Sequence, residues 1–395
     1  MTVNLFSFDQ RFFKQIDWWL LAGLLALTAF GIVVIDGTTA GVESKSHYAQ
    51  RQVMWWAISL VAFVCILFLD YNQLMKLAVP VYLVCLALLL GLLLHEGKTI
   101  RGTHSWYALG KLRFQPSEFT KIATVLVVSA YLARIKARVP GWGDLIVVAV
   151  LVLTPLVLVA HQPDLGTAVT FLPLIVVLHW AAGARRRIYV VVAGVVLLLV
   201  AGYGSVVVAR GGEFPFLKPY QEERLRAFFG NVFSRASGDS SGEGLENSIR
   251  RRAGWAPLQA RIALGSGRLW GKGWRMGTQT RLEFLPEAHT DYIFASCGEQ
   301  FGFAGCAAVL ALYAGLVFRS ILIALRSKDW FGYLVVVGVL TIFITHVALN
   351  VGVAMDVLPV TGLPLPFLSC GGSFLLTTYV GFGLVMNVGM RRYMY

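Results

Sequence analysis

IYVVVAGVVLLLVAGYGSVVV, residues 188–208, runs for 21 positions without a charged side chain and follows directly on Arg185-Arg186-Arg187. A helix needs about 20 apolar residues to cross a bilayer core roughly 30 Å thick. The stretch has neither the alternation of a barrel strand nor the polar face of a soluble amphipathic helix. It reads as a membrane span with a basic flank.

The rest of the chain has the same character. Of 395 residues, 57% are hydrophobic and 14% charged, and the mean hydropathy is +0.69. Soluble domains carry about 25% charged residues, so an ordinary cytosolic enzyme is excluded. Disorder, which needs low hydrophobicity and high charge, is excluded too. Apolar stretches occupy 18–35, 53–69, 74–94, 118–133, 145–160, 165–182, 188–208, 300–325, 331–355 and 372–390. The expected fold class is therefore an all-α polytopic membrane protein, a bundle of about ten transmembrane helices forming one membrane domain over 1–395. Only the short run His161–Gly166 divides 145–182. Arg11 and Lys14 precede the first span and no small-x-small site follows it, which describes a signal anchor rather than a cleaved signal.

Orientation follows from the loops. With a cytoplasmic N-terminus, 13 basic residues lie inside: Arg11, Lys14, Lys76, Arg134, Lys136, Arg138, Arg185, Arg186, Arg187, Arg326, Lys328, Arg391 and Arg392. The short outside loops hold six, Lys45, Arg51, Lys98, Arg101, Lys111 and Arg113. The bias predicts that both termini are cytoplasmic and that 209–288 is a large extracytoplasmic loop. The net charge of +13 then reflects loop bias and calls for no nucleic-acid partner. The large loop carries 13 basic and eight acidic residues, net +5. That is either a solvated basic surface or one that binds phosphate or acidic lipid headgroups. Ser, Gly and Glu across 237–247 suggest a mobile insert, and Gly265-Ser266-Gly267 and Gly271-Lys272-Gly273 mark tight turns able to approach a ligand closely. Five cysteines, Cys65 and Cys85 among those inside spans, give no disulfide framework. There is no zinc pattern, Walker loop or dinucleotide fingerprint.

Polar residues gather at span ends that this topology places on the outer face. They are His104-Ser105-Trp106; Phe114-Gln115-Pro116-Ser117-Glu118, with Lys121 one turn on; and His161-Gln162-Pro163-Asp164-Leu165-Gly166. Further along come Phe284 to Asp291, and Leu358 to Phe367 followed by Ser369, Gly371, Gly372 and Ser373. Glu118 and Lys121 stand three apart, on one helix face and close enough to pair. A charge at membrane depth costs about 2.5–3.5 kcal/mol on insertion scales, so such a pair marks either a lock between helices or a polar cavity. Asp164 is a candidate ligand-binding carboxylate, but a helix cap explains it better. Asp291 follows a proline-containing turn and precedes an apolar helix; partial burial would make it a better base. Glu287 and His289 are placed to tune it, and capping by Thr290 or Asp291 explains the same residues.

These motifs resemble the SEDS family (shape, elongation, division and sporulation proteins), the polytopic peptidoglycan polymerases that include RodA and FtsW. The resemblance runs from the first span to the C-terminus. It rests on Gln115-Pro116-Ser117-Glu118 with Lys121, Gln162 to Thr167, Leu285-Pro286-Glu287 with His289-Thr290-Asp291, and Pro359 to Ser373. Gly277-Thr278-Gln279 leading to Leu282–Glu287 is more similar to the RodA branch than to FtsW. The resemblance implies a glycosyltransferase that joins lipid II into glycan strands on the outer face of the cytoplasmic membrane, with release of undecaprenyl diphosphate. It implies Asp291 as the catalytic general base. Substrate would be bound by Glu118, Lys121, Trp106, Asp164, Ser369 and Ser373, with Gln115, Glu287 and His289 in support. Implied partners are lipid II, a class B penicillin-binding protein, the membrane proteins of the elongation machinery and membrane lipids. The sequence shows no metal ligand set, although a diphosphate leaving group makes Mg or Mn a candidate cofactor. The chain departs from the family at Ser105, where Arg is usual, at Cys370, where Tyr is usual, and at Gln300, where a second Glu follows Glu299.

Two rival readings make different demands. A lipid flippase or transporter calls for ionisable groups near the midplane and matching inverted halves. A non-catalytic scaffold for the penicillin-binding protein leaves Glu118, Lys121 and Asp291 without chemistry.

Overall fold

The structure is a computed structural model that describes residues 15–39, 47–94, 105–109, 112–162, 164–209, 222 and 255–391. The 237–247 insert, the basic residues Arg11, Lys14 and Arg392, and His104 and Pro163 lie outside the described residues.

The ten apolar stretches are helical. In chain order the helices are α1 (Trp18–Thr39), α2 (His47–Phe68), α3 (Tyr71–Leu94), α4 (Pro116–Arg134), α5 (Trp142–His161), α6 (Leu165–Val169), α7 (Leu172–Ala181) and α8 (Arg186–Ala209). They continue with α9 (Trp255–Ser266), α10 (Thr278–Arg281), α11 (Ile293–Leu325), α12 (Trp330–Ala354) and α13 (Gly372–Met390). A short antiparallel hairpin, β1 (Tyr107–Leu109) with β2 (Leu112–Phe114), leads into α4. Eight of the described helices are long and apolar enough to cross a membrane alone. The other two expected spans are α4, which carries Glu118, Lys121 and Arg134, and the interrupted pair α6 and α7.

Two apolar cores share their middle elements. One joins α1, α2, α9, α11, α12 and α13, and the other joins α3, α4, α5, α6, α7, α12 and α13. Helix α13 sits at the centre, with 83% of its apolar window buried, and packs most extensively on α2. Tyr379 on α13 ties it to α1 and α2, its hydroxyl 2.8 Å from Thr28 Oγ1 and accepting from Trp56 Nε1 at 2.8 Å. Helix α8 is the opposite case: none of its apolar window is buried, as expected of a helix whose neighbours are lipid.

One end of the bundle is closed by charges. Arg319 forks onto Asp17, which also caps α1 by accepting from Leu20 N at 3.0 Å. Arg138 pairs with Asp144 at 2.6 Å through both its terminal nitrogens. Asn387 and Arg391 donate to the last carbonyls of α2, with Asn387 Nδ2 at 2.7 Å from both Ile66 O and Leu69 O. The free carbonyls of a helix end need such partners when water is scarce.

Helix α11 breaks at Gly302 (φ 66°, ψ −163°), so the span expected to start at 300 is preceded by a separate helical segment from Ile293. The groups freed by the break are taken up by the glycine-rich run after α9. Lys272 N and Gly273 N donate to Glu299 O and Gln300 O at 2.9 and 3.0 Å, and Phe303 N and Ala304 N donate to Arg268 O and Leu269 O at 2.8 and 3.0 Å. A Cβ on Gly267 would lie 1.8 Å from Gly298 O and one on Gly271 2.2 Å from Gln300 O. The close approach at Gly267 and Gly271 is thus to the protein's own backbone, whereas Gly265 has open space and Gly273 meets the Met276 side chain.

Candidate functional site at one end of the bundle

The unusual segments converge at the end opposite the ion pairs. Ser105 Oγ donates to Gln162 O at 3.2 Å, and Gln162 Nε2 donates to Leu89 O at 3.1 Å. Gln115 Nε2 donates to Asp164 Oδ2 at 3.1 Å, and Gln115 N to Ser373 Oγ at 3.3 Å. Gly166 abuts Thr361, where a Cβ would sit 2.2 Å from the carbonyl oxygen. Trp106 lies half-buried next to Ser105 at the edge of this assembly.

At the centre Lys121 and Glu118 are buried, 2% and 3% exposed, with Lys121 Nζ 2.9 Å from Glu118 Oε2 and 3.0 Å from Oε1. Pro116 opens α4 and leaves Glu118 in the first turn, where free N–H groups favour a carboxylate. His346 on α12 completes a trio: its Nε2 is 2.7 Å from Lys121 Nζ and its Nδ1 is 3.3 Å from Pro364 O. Phe374 closes the group, its ring centroid 5.6 Å from Lys121 Nζ. A pocket bounded by Ile122, Phe343, Phe374, Thr377 and Thr378 contains this trio.

The turn 287–291 carries the remaining carboxylate. Glu287 has φ 48°, a left-handed conformation that is strained for a residue with a side chain. Its carbonyl accepts from Thr290 N at 3.0 Å and Asp291 N at 3.1 Å. The turn is bolted to the strap 359–371. Ser369 Oγ donates to Thr290 O at 2.6 Å while accepting from Leu365 N at 2.7 Å, and Cys370 N donates to His289 O at 2.9 Å. Asn350, one turn beyond His346 on α12, donates to Asp291 O at 2.9 Å and Leu363 O at 2.7 Å. Gly362, with φ 70°, faces the Asp291 carboxylate; a Cβ there would lie 3.5 Å from Oδ2. His289 is buried against Tyr48, ring centroids 4.4 Å apart, and its Nε2 is 4.0 Å from Glu287 Oε2.

The expected site residues therefore play distinguishable parts. Asp291 is half-buried, whereas Glu118 and Lys121 are buried and line the pocket. Asp164 caps α6, its Oδ1 accepting from Thr167 N at 3.1 Å, and it also holds Gln115. Ser369 and Ser373 are buried with their hydroxyls engaged by backbone; Ser373 Oγ donates to Arg113 O at 2.9 Å. They shape the site from behind. The sequence reading passes over His346 and Asn350, two polar side chains four apart in an apolar span, which is the signal that marks an inward-facing stripe. It also leaves Glu299 without a role. That carboxylate is fully buried, accepting from Lys272 Nζ at 2.8 Å and Gln279 N at 2.8 Å, and it anchors α10 to the broken helix.

A bundle of membrane-spanning helices with buried ionisable groups and a half-buried carboxylate at one end defines a polytopic membrane protein with a polar site toward that end. Residues 13–394 match the family model of FtsW, RodA and SpoVE, described as cell cycle protein, and the chain belongs to that family. It is similar to the peptidoglycan glycosyltransferase MrdB of Escherichia coli K12, 34% identical over 96% of this chain and 95% of that one. It is also similar to the peptidoglycan glycosyltransferase RodA of Treponema pallidum, 30% identical over 96% and 98%. Among solved structures, a chain of a peptidoglycan synthase complex that coordinates polymerization and crosslinking matches with a TM-score of 0.73 at 28% identity, covering 96% of this chain and 99% of that one. The rod shape determining protein RodA of Thermus thermophilus matches with a TM-score of 0.67 at 27% identity, covering 96% and 98%.

Proposed function

We propose that this chain is a RodA-type peptidoglycan glycosyltransferase that polymerises lipid II at the extracytoplasmic face of the cytoplasmic membrane during cell elongation, releasing undecaprenyl diphosphate. The observation that carries the reading at the site is Asp291, half-buried at the end of a strained turn and facing Gly362, at the same bundle end as the buried Glu118–Lys121 pair.

A sugar 4-hydroxyl is a poor nucleophile at neutral pH. In the transition state Asp291 takes its proton as the oxygen bonds to the anomeric carbon and the bond to the diphosphate breaks. Attack opposite the leaving group inverts α to β. The diphosphate gains negative charge, and Lys121 is the buried cation placed to stabilise it. Glu118 keeps that cation in place; Trp106, Asp164, Ser369, Ser373 and Gln115 hold the walls, with Glu287 and His289 shaping the turn. Among the described residues no three His, Cys, Asp or Glu side chains group as metal ligands. Magnesium is held by one or two carboxylates together with substrate phosphates, and Asp291 and Glu287 are the carboxylates of this turn that would hold Mg or Mn. A class B penicillin-binding protein crosslinking the product, and other elongation-machinery membrane proteins, are the partners this reading calls for. Both termini are then cytoplasmic.

The test is polymerisation of labelled lipid II by purified protein with and without that transpeptidase. Glycan ladders are expected from the wild type and absent from Asp291→Ala, with partner binding and thermal unfolding unchanged. Movement of lipid II between liposome leaflets without any ladder would support the flippase instead. Intact cell elongation by Asp291→Ala would support the scaffold.

A further inference from the structure

Resting on that reading of the site, we propose that His346 is a positioning residue, a neutral imidazole that aims the Lys121 ammonium and couples it to the strap facing Asp291. An ammonium has three donors and no acceptor, so an atom 2.7 Å from Lys121 Nζ must accept. His346 Nε2 therefore carries a lone pair, and the ring proton sits on Nδ1, which donates to Pro364 O at 3.3 Å. A cationic ring would place two positive charges in contact within a buried site, beside the one carboxylate, Glu118, that pairs with Lys121.

With Glu118 accepting on one side, His346 on another and the Phe374 face opposite, the ammonium is held from three directions. The second ring nitrogen extends that hold to the strap. Pro364 is next to Leu363, whose carbonyl accepts from Asn350, and Asn350 also holds Asp291 O. His346 and Asn350, stacked one turn apart, thus fix Lys121 and the Asp291 turn to one stretch of backbone. The cation that meets the leaving group and the base that takes the proton share a ruler along α12.

The inference is tested by His346→Leu, His346→Gln, Lys121→Met and the double variant His346→Leu/Lys121→Met, assayed with the partner present and with Asp291→Ala as control. Loss of the acceptor leaves a buried donor unmatched, so His346→Leu is expected to lower kcat by about tenfold or more with KM for lipid II little changed. Glutamine, which can accept from Lys121 and donate to Pro364 O, is expected to recover most of the loss. The double variant should be no worse than Lys121→Met. Nitrogen-15 NMR of histidine-labelled protein supplies a readout independent of turnover: His346 in the Nδ1–H form, with an Nε2 shift that moves in Lys121→Met. Full kcat in His346→Leu, equal damage in the leucine and glutamine variants, or an Nε2–H or cationic ring overturns the proposal. Absent wild-type ladders would overturn the polymerase reading, and the NMR result then decides the His346 geometry alone.

Discussion

Lys121 and Glu118 show how much depends on one pair of atoms. Each is buried, and each holds a charge that water would solvate far better. Removing one partner strands the other, so Glu118→Leu is expected to destabilise the protein by about 3–5 kcal/mol, whereas replacing both as Glu118→Leu/Lys121→Met restores most of it. Thermal unfolding in detergent of the single and double variants measures this. If the pair only locks helices, the double variant is also active. The polymerase reading expects it to be stable and inactive, because no cation remains for the leaving diphosphate. The sequence made this pair legible by spacing alone, since i and i+3 share a helix face. The spacing of His346 and Asn350 marks an inward-facing stripe, but which helix each faces is not legible, because an imidazole in an apolar run does not name its partner. Tertiary packing of α12 against α4 and the strap supplies that information.

Among elements, the broken helix α11 carries the clearest lesson. Periodicity places an apolar span at 300–325, and glycines at 265–273 announce sharp turns, but nothing in either segment names the other as its partner. Pairing arises from an accounting of backbone groups: a break buried in the bundle frees carbonyls and N–H groups that must find partners. The turn after α9 provides them. Gly302 occupies a region open essentially to glycine, and a Cβ there would lie 2.3 Å from Gly271 N and 2.5 Å from Leu269 O. Gly302→Ala is therefore expected to cost about 1–3 kcal/mol in backbone strain and more in displaced contacts. Gly315, in the same helix with open space around its Cα, provides the control; Gly315→Ala should be neutral or stabilising by up to about 1 kcal/mol. Unfolding midpoints of the two variants should move in opposite directions or differ by several degrees. The division of 165–182 into α6 and α7 belongs to the same class of detail. Pro173 in the first turn of α7 marks the restart in sequence, while Gly166 in α6 packs on Thr361 of the strap, a partner the sequence does not name.

For the whole molecule, polarity is arranged along the bundle axis. The Asp17–Arg319, Asp144–Arg138 and Asp70–Arg391 pairs lie at one end, and the Asp291 turn, the strap and the Glu118–Lys121 pair lie toward the other. Among the described residues, basic side chains of the short loops fall mainly at the Asp17–Arg319 end, and short-loop Lys and Arg are what membrane insertion retains in the cytoplasm. The proposed orientation thus predicts opposite accessibility for two exposed positions, Lys136 near the ion pairs and Arg281 on α10 near the turn. In a background with the five native cysteines replaced, a membrane-impermeant maleimide should label Arg281→Cys in right-side-out vesicles and Lys136→Cys only in inside-out ones. This order matters for mechanism, because lipid II polymerisation outside the cell requires Asp291 to face the extracytoplasmic side. The reverse pattern would leave the fold and the site geometry intact but place the base on the cytoplasmic side, where no growing glycan strand could reach it. The labelling pattern therefore constrains function independently of any turnover assay: a polymerase must show it, whereas a protein that handles a lipid-linked precursor from the cytoplasmic side need not.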